Sequence, residues 1–381
     1  MASAQNWTAF ASPYDGDFFH LAGVIATTLF RKAVQKAASL GAPVALSVLS
    51  SDVENVTCQL WRPELGTVLL AFQNGWTAPQ DLDWIAAQLT LAAVAVGAQN
   101  PDAAFCTTRP LHFAGQTLPE GQVRLQGAGD TLEVFCGNDR YGFIRHCSAP
   151  GDDGCWVSEG ESAGPVRLGS ASDGVIGDGR WGQIWSGLDG AEAIRSETFR
   201  SHVAATAALI EQASPVHYLW IVAVLREIIG RERAPGEENS SRSLLYGFGA
   251  VEIVHPSSVT EALEMFVHEM SHQYFHMATL LARLTTPQAG SYYSAVKRTQ
   301  RPLERILLGY HAFANVALAY QAMDGSPLLD ADDLARRRRV VDQLVKSLAE
   351  PLEREVDSGL TEAGRMLYLP LRDRVAHLST V

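Results

Sequence analysis

Residues Val259 to Leu284 read VTEALEMFVHEMSHQYFHMATLLARL, a run without glycine or proline in which apolar side chains recur every three or four positions. That spacing is typical of an amphipathic helix. Ser258 followed by Glu261 is the pattern of a capping box, which satisfies free backbone N–H groups in the first helical turn. We therefore predict one long helix that begins at Val259, and the carboxy-terminal half of the chain is organised around it.

The centre of this helix carries the motif HEMSH at residues 268–272. Histidines four residues apart project from the same side of a helix, about 5.4 Å apart along its axis, so both imidazoles can reach one metal ion. The motif therefore predicts a metal site with His268 and His272 as ligands. His276 lies one turn further on, but a rotation of about 40° per four residues carries it off the metal's side. It either supports a ligand, lines the substrate pocket or is a packed histidine, and we favour the packed histidine.

A metal site of this kind needs a third protein ligand, and the next predicted helix offers two candidates. Residues 303–315 are apolar at helical spacing and follow Pro302, a residue favoured in the first turn. Glu304, His311 and Asn315 lie along one stripe of that helix. We predict His311 as the third ligand, with Glu304 as the alternative.

The segments beside the metal motif carry further shared features. They are Phe266-Val267 before the motif, Tyr292-Tyr293, Arg298, Arg301-Pro302, Gly309 and Ala312-Phe313. With the HEMSH motif, they resemble the HExxH-motif proteins that occur with ribosomally made, modified peptides. The resemblance is clearest over residues 215–321, and the amino-terminal half matches only in general layout. One departure is Leu308, where many relatives carry a histidine or a glutamine.

The resemblance implies an activity. Members of that family are iron- and 2-oxoglutarate-dependent peptide β-hydroxylases, so it implies Fe(II) and 2-oxoglutarate as cofactors and a precursor peptide as the substrate partner. In that reading Glu269 orients a ligand or tunes the metal and is not a hydrolytic base.

Two other functions fit the motif. The HExxH pattern by itself suggests a zinc metallopeptidase, in which Glu269 is the general base that activates a zinc-bound water. A non-catalytic peptide-binding partner with a structural metal is the third alternative.

A basic cluster near the second helix favours the hydroxylase. Lys297, Arg298 and Arg301 lie close together in a chain whose net charge is -12. The far carboxylate of 2-oxoglutarate calls for a bidentate arginine near the metal, whereas a peptidase has no general need of one. We predict Arg301 for this contact and Arg298 as the second choice.

The composition excludes several classes of protein. The 381 residues are 47% hydrophobic and 19% charged, which is typical of a globular chain. The negative net charge argues against a general nucleic-acid or anionic-membrane surface. The sequence has neither a transmembrane run nor an amino-terminal signal pattern, and its five cysteines form no Cys-x-x-Cys motif. We therefore expect a cytoplasmic protein with free thiols.

The remaining patterns predict an α+β fold that is predominantly helical. A small antiparallel sheet lies in the middle of the chain, where residues 123–125, 131–135 and 141–144 alternate as strands. Further helices are predicted at residues 17–40, 79–99, 191–212, 215–231 and 361–378, with a strand at 244–254 before the metal helix. The predicted organisation is a helical region at 1–120, the sheet with long loops at 121–188, and the helical metal-binding region at 189–381.

A run of four arginines, residues 336–339, follows the acidic residues Asp330, Asp332 and Asp333. The arginines follow the acidic residues by about one turn of a helix. This spacing favours local ion pairs on a solvated face over an anion-binding site.

Overall fold

A computed structural model of the chain describes residues 4–43, 57–96, 102–128, 131–147, 155–158, 164–167, 173–176, 197–234 and 240–378. Its α-helices are α1 (Phe18–Ser39), α2 (Pro63–Gln73), α3 (Pro79–Val94), α4 (Glu197–Ala213), α5 (Pro215–Val224), α6 (Val259–Leu281), α7 (Leu303–Ala322), α8 (Ala331–Glu355) and α9 (Glu362–Leu378). Short 3-10 helices cover Ala4–Phe10 and Cys58–Leu60. The predicted α+β class, predominantly helical, is confirmed.

The first sheet is antiparallel, as predicted, but it begins earlier in the chain. It contains β1 (Ala103–Thr107), β4 (Gly121–Ala128), β5 (Thr131–Cys136), β6 (Asp139–Cys147) and β7 (Cys155–Ser158), in that order. Leu132 and Val134 of β5 are buried and their neighbours are not, which is the alternation of a sheet with one covered face. Gly137, with φ of 64°, provides the left-handed residue in the turn between β5 and β6. A separate hairpin joins β2 (Leu111–Phe113) and β3 (Gln116–Leu118).

The second sheet is mixed, which the sequence did not predict. Its order is β11 (Ser241–Arg242), β12 (Ala250–Val254), β10 (Glu227–Arg231), β9 (Asp173–Ile176) and β8 (Gly164–Arg167), and β10 pairs in parallel with both β12 and β9. The helix predicted at 215–231 is therefore wrong beyond Val224. Ile228 and Ile229 are β-branched and fully or nearly buried, and such a short apolar run suits a buried strand better than a helix.

The chain forms two compact units, each made of separate segments. One contains Met1–Leu21, Ala205–Ile221 and Ser257–Val381, and the other contains Ala22–Ala204 and Val222–Pro256. The predicted consecutive division at 1–120, 121–188 and 189–381 differs from these units, since residues 22–204 and 222–256 belong together. Residues 177–196, which include parts of the predicted sheet region and helix 191–212, lie outside the described residues. None of the described helices is both long and apolar enough to cross a membrane.

The unit that contains the metal motif is built on α6. This helix is buried along most of its length and packs on α7, while α8 and α9 also pack on α7. Tyr274 of α6 stacks on Trp220 of α5 with ring centroids 4.5 Å apart, and its hydroxyl donates to the Trp220 carbonyl at 2.7 Å. Phe10 lies 5.3 Å from the same tyrosine ring. These contacts fix the rotation of α6 about its axis and so the direction of its histidines.

Candidate metal centre

The start of α6 is fixed by its cap, as the sequence predicts. The Ser258 hydroxyl accepts a hydrogen bond from the Glu261 backbone N–H at 3.1 Å. The Glu261 carboxylate in turn accepts from the backbone N–H of Ser257 at 2.6 Å, one residue earlier than in a standard capping box. The helix therefore begins at Val259, and the HEMSH motif lies between its third and fourth turns.

His268, Glu269 and His272 form a compact group on α6. One ligand atom from each lies within 4.8 Å of the others; the two histidines are half-buried and the glutamate is buried. The two imidazole rings are 4.5 Å apart between centroids. Two ligands of one tetrahedral metal ion are roughly 3.3 Å apart, so small side-chain rotations would bring a nitrogen of His268 and a nitrogen of His272 onto one ion. Two imidazoles and a carboxylate suit zinc or Fe(II), and the described part of the chain holds no second group of this kind.

Both histidines carry their neutral form at neutral pH. Burial and the charge of Lys297 lower the pKa of His268 to about 4. Burial, the neighbouring imidazoles and the charge of Arg305 lower the pKa of His272 well below its usual value. A metal binds the unprotonated imidazole, so this pair needs no proton removed before it can act as a ligand.

His311 lies on α7, buried, and outside that compact group. Its Nε2–H donates to the Phe10 carbonyl at 2.7 Å, which leaves Nδ1 as the nitrogen with a lone pair. Nδ1 is buried, and no described residue hydrogen-bonds to it. Burial lowers the pKa of His311 to about 4, and His311 is close enough to His272 to lower that residue's pKa. The backbone carbonyls of Ser271 and Ala11 also act on this ring and raise its pKa. A ring that donates one N–H to a backbone carbonyl and keeps a lone pair on its other nitrogen can act as a metal ligand.

The alternative third ligand lies at the beginning of the same helix. Glu304 is half-buried in the first turn of α7, two turns before His311, and it too lies outside the compact group. Asn315, the last member of the predicted stripe, donates from Nδ2 to the Ala11 carbonyl at 3.0 Å. Two residues of the stripe, His311 and Asn315, therefore bind the amino-terminal segment by hydrogen bonds to its backbone carbonyls. Such a contact between residues some three hundred positions apart leaves no local signal in the sequence.

We expect His311→Ala to lower metal affinity by more than the roughly 10- to 100-fold typical of a residue that only supports a ligand. The measurement is zinc and anaerobic Fe(II) affinity by calorimetry. Asn315→Ala is the matched control, because it removes the neighbouring contact to the same segment without removing a ligand atom. Equal losses in the two variants would make His311 a packing residue, and a loss confined to Glu304→Ala would transfer the role to Glu304.

The predicted arginines lie on a hairpin of β13 (Ser291–Ser294) and β14 (Thr299–Pro302). Arg301 is half-buried and pairs across the hairpin with Tyr292, whose hydroxyl donates to Glu355 of α8. Arg298 is exposed in the turn with φ of 51°, an uncommon left-handed conformation for a residue that is not glycine. The contact of either arginine with a co-substrate stays a prediction.

Two other cations act on the histidines of α6. Lys297 contributes to the lowered pKa of His268, and Arg305 contributes to those of His272 and His276. Both side chains are exposed, and no described carboxylate forms an ion pair with either. The sequence pattern did not single out Arg305, because this residue lies about 100° around the helix from the stripe that holds Glu304 and His311. Its signal in the sequence was its place in the first turn of the predicted ligand helix.

The arrangement combines neutral imidazoles, a buried carboxylate and nearby cations that no carboxylate of the described residues pairs. Such a set can bind a divalent metal together with an anionic molecule beside it. No protein-family model matches the chain, and no curated protein matches it. The case for a function therefore depends on the site itself.

Proposed function

We propose that this protein is an iron- and 2-oxoglutarate-dependent hydroxylase that acts on Cβ of a residue in a ribosomally made peptide. The observation that carries the proposal is a pair of cations, Lys297 and Arg305, which no described carboxylate pairs and whose charges help to lower the pKa values of the histidines in a His-Glu-His group. A dicarboxylate co-substrate requires positive charge next to the metal. Peptide hydrolysis has no general requirement for it.

The residues have distinct tasks in this proposal. His268 and His272 would hold Fe(II), His311 would be the third ligand, and Glu269 would orient the imidazoles. When bound, the iron would activate O2, which is the oxidant, and 2-oxoglutarate would supply two of the four electrons that reduction of O2 needs, the peptide C–H supplying the other two. In the overall reaction a peptide C–H, O2 and 2-oxoglutarate give the peptide C–OH, succinate and CO2. A basic side chain near the metal holds the far carboxylate of 2-oxoglutarate.

The position of Glu269 favours a second candidate function, that of a zinc metallopeptidase. Its carboxylate is buried and lies within 4.8 Å of the ligand atoms of both histidines, a place suited to a base that activates a zinc-bound water. A protein that binds a peptide without turnover and keeps a structural metal is the third candidate. Zinc binding without cleavage or 2-oxoglutarate binding would favour that one.

The proposal predicts that Glu269→Gln keeps Fe(II) and 2-oxoglutarate binding, within about tenfold of the wild type, because glutamine preserves the shape and one acceptor of the side chain. The protein is reconstituted anaerobically with Fe(II), and the visible charge-transfer absorption is recorded as 2-oxoglutarate is added. Parallel samples with zinc are incubated with a mixed peptide pool. Zinc-dependent cleavage that Glu269→Gln abolishes, with no 2-oxoglutarate absorption in the wild type, would establish the peptidase instead.

The proposed partner is a precursor peptide, and neither nucleic acid nor a membrane is expected. We propose a cytoplasmic location. Cys58, Cys106 and Cys136 are free thiols, which suits a reducing compartment.

A further inference from the structure

His276 has a buried ring nitrogen that nothing in the described structure satisfies. The residue follows His272 by one turn of α6, and the two rings are stacked with centroids 6.3 Å apart and planes 23° apart. His276 is only 7% exposed, and its Nδ1 has no hydrogen-bond partner among the described residues. Leaving a buried polar atom without a partner is unfavourable, so a bound group that hydrogen-bonds to Nδ1 would be stabilised there.

Arg305 supplies a positive charge at the same place. It is exposed in the first turn of α7, the helix that packs on α6, and no described carboxylate pairs with its guanidinium. After burial, the charge of Arg305 is a further cause of the lowered pKa of His276, so the guanidinium lies near that ring. A neutral imidazole carries one N–H, and Nδ1 of His276 can carry it, because no described residue hydrogen-bonds to that atom. A guanidinium and a neutral imidazole N–H together form a binding site for a carboxylate.

The spacing along α6 suits a dicarboxylate of five carbons. Carbon–carbon bonds of about 1.5 Å give an extended chain that spans roughly 5 Å from its first to its last carbon. The His272 and His276 rings are 6.3 Å apart. A molecule of this length whose 2-oxo-acid end lies at a metal held by His272 is therefore long enough for its far carboxylate to reach His276.

We infer that Arg305 and His276 form the subsite that binds the far carboxylate of 2-oxoglutarate. This inference rests on the proposed function, because it places the co-substrate beside the metal of the HEMSH motif. It gives His276 a role other than packing. It also distinguishes Arg305 from Arg301 and Arg298, which the sequence predicts for the same contact.

The test compares two co-substrate analogues in matched variants. Pyruvate has the 2-oxo-acid end of 2-oxoglutarate but lacks the far carboxylate. Affinities of both are measured anaerobically on Fe(II)-loaded protein by titration of the charge-transfer absorption and by calorimetry. Arg305→Ala should weaken 2-oxoglutarate binding roughly 10- to 100-fold, the range for a hydrogen bond to a charged group, and leave pyruvate binding unchanged. His276→Ala should act in the same direction, and Arg305→Lys should restore part of the affinity.

Arg301→Ala and Arg298→Ala are the matched controls, since each removes one of the arginines that the sequence predicts for this contact and should change 2-oxoglutarate affinity less than about twofold. Unchanged 2-oxoglutarate affinity in Arg305→Ala would overturn the inference, as would an equal loss for pyruvate or a loss confined to Arg301→Ala. In each of these results the wild type still binds 2-oxoglutarate, and the proposed function stands. Metal binding by the wild type without any 2-oxoglutarate binding would overturn the proposed function itself.

Discussion

Alanine in place of His268 or His272 is expected to abolish metal binding and every metal-dependent activity together. Each substitution removes one of two imidazoles on which the site depends. Both imidazoles are neutral at neutral pH, so protons do not compete with the metal in the wild type. The decrease in metal affinity therefore reports the missing imidazole alone. The decrease in affinity should exceed the roughly 10- to 100-fold expected for residues that only support a ligand. Metal content after dialysis and calorimetric titration with zinc and Fe(II) measure it.

The control for this prediction lies on the same helix. Thr279→Ala changes a half-buried position two turns beyond His272 and should leave metal content at the wild-type level. The two histidines are only half-buried, so their alanine variants should keep the wild-type circular dichroism. A His268→Ala protein that folds and retains one equivalent of metal at wild-type affinity would remove the HEMSH motif from the site.

The parts of this structure that the sequence predicted are those determined by local patterns. The cap at Ser258, the course of α6 and the direction of His268 and His272 all follow from residues within a few positions of one another. The strands β4, β5 and β6 likewise follow from alternation and a short turn at Gly137. Helical periodicity and turn chemistry act within one element, and so they can be read without the rest of the fold.

The parts that were missed depend on distant contacts. The segment 227–231 is apolar without a clear period, and its parallel pairing with β9 and β12 decides that it is a strand. The bond between His311 and Phe10 joins opposite ends of the chain. The charge of Arg305 contributes to the lowered pKa values of His272 and His276 only because α7 packs on α6. Composition and spacing carry no information about such pairs.

For the arginine run of α8, one part of the prediction is confirmed and another part is wrong. The predicted local ion pairs are present, since Arg336 and Arg337 both bind Asp333, at 2.6 and 3.1 Å. The predicted solvated face holds for Arg336, but Arg337 is only 7% exposed. Its guanidinium reaches past its own helix to Glu264 of α6, with Nη1 3.2 Å from Oε2. The arginine therefore links the first turns of the metal helix to α8.

The carboxylates that Arg337 neutralises are themselves buried. Glu264 also accepts a hydrogen bond from the Tyr320 hydroxyl at 2.5 Å, and burial raises the pKa of that tyrosine, so its hydroxyl keeps its proton. Glu261, the capping residue of α6, lies 3.9 Å from Arg337 and is 1% exposed. When a buried carboxylate loses its cation, the free-energy cost of having removed it from water is no longer compensated. This cost is larger than the net contribution of the intact ion pair to stability.

Arg337→Ala is therefore expected to lower the free energy of unfolding by about 3–5 kcal/mol, the range for removing one partner of a buried ion pair. Urea denaturation at neutral pH measures it through the transition midpoint. Arg336→Ala is the matched control, because its side chain is 56% exposed and shares Asp333 as partner, and it should cost less than about 1 kcal/mol. Equal losses in the two variants would show that Arg337 contributes no more than a surface pair.

A second substitution separates charge from packing at this position. If the cost of Arg337→Ala comes from unpaired buried carboxylates, adding Glu264→Gln should recover part of the lost stability, because the neutral amide removes one uncompensated charge while it keeps an acceptor for Tyr320. If the cost comes from the lost volume of the arginine side chain, the double variant should be no more stable than Arg337→Ala. Since Glu264 lies one turn before His268, recovery would also show that the start of the metal helix is stabilised by charge neutralisation within the protein interior.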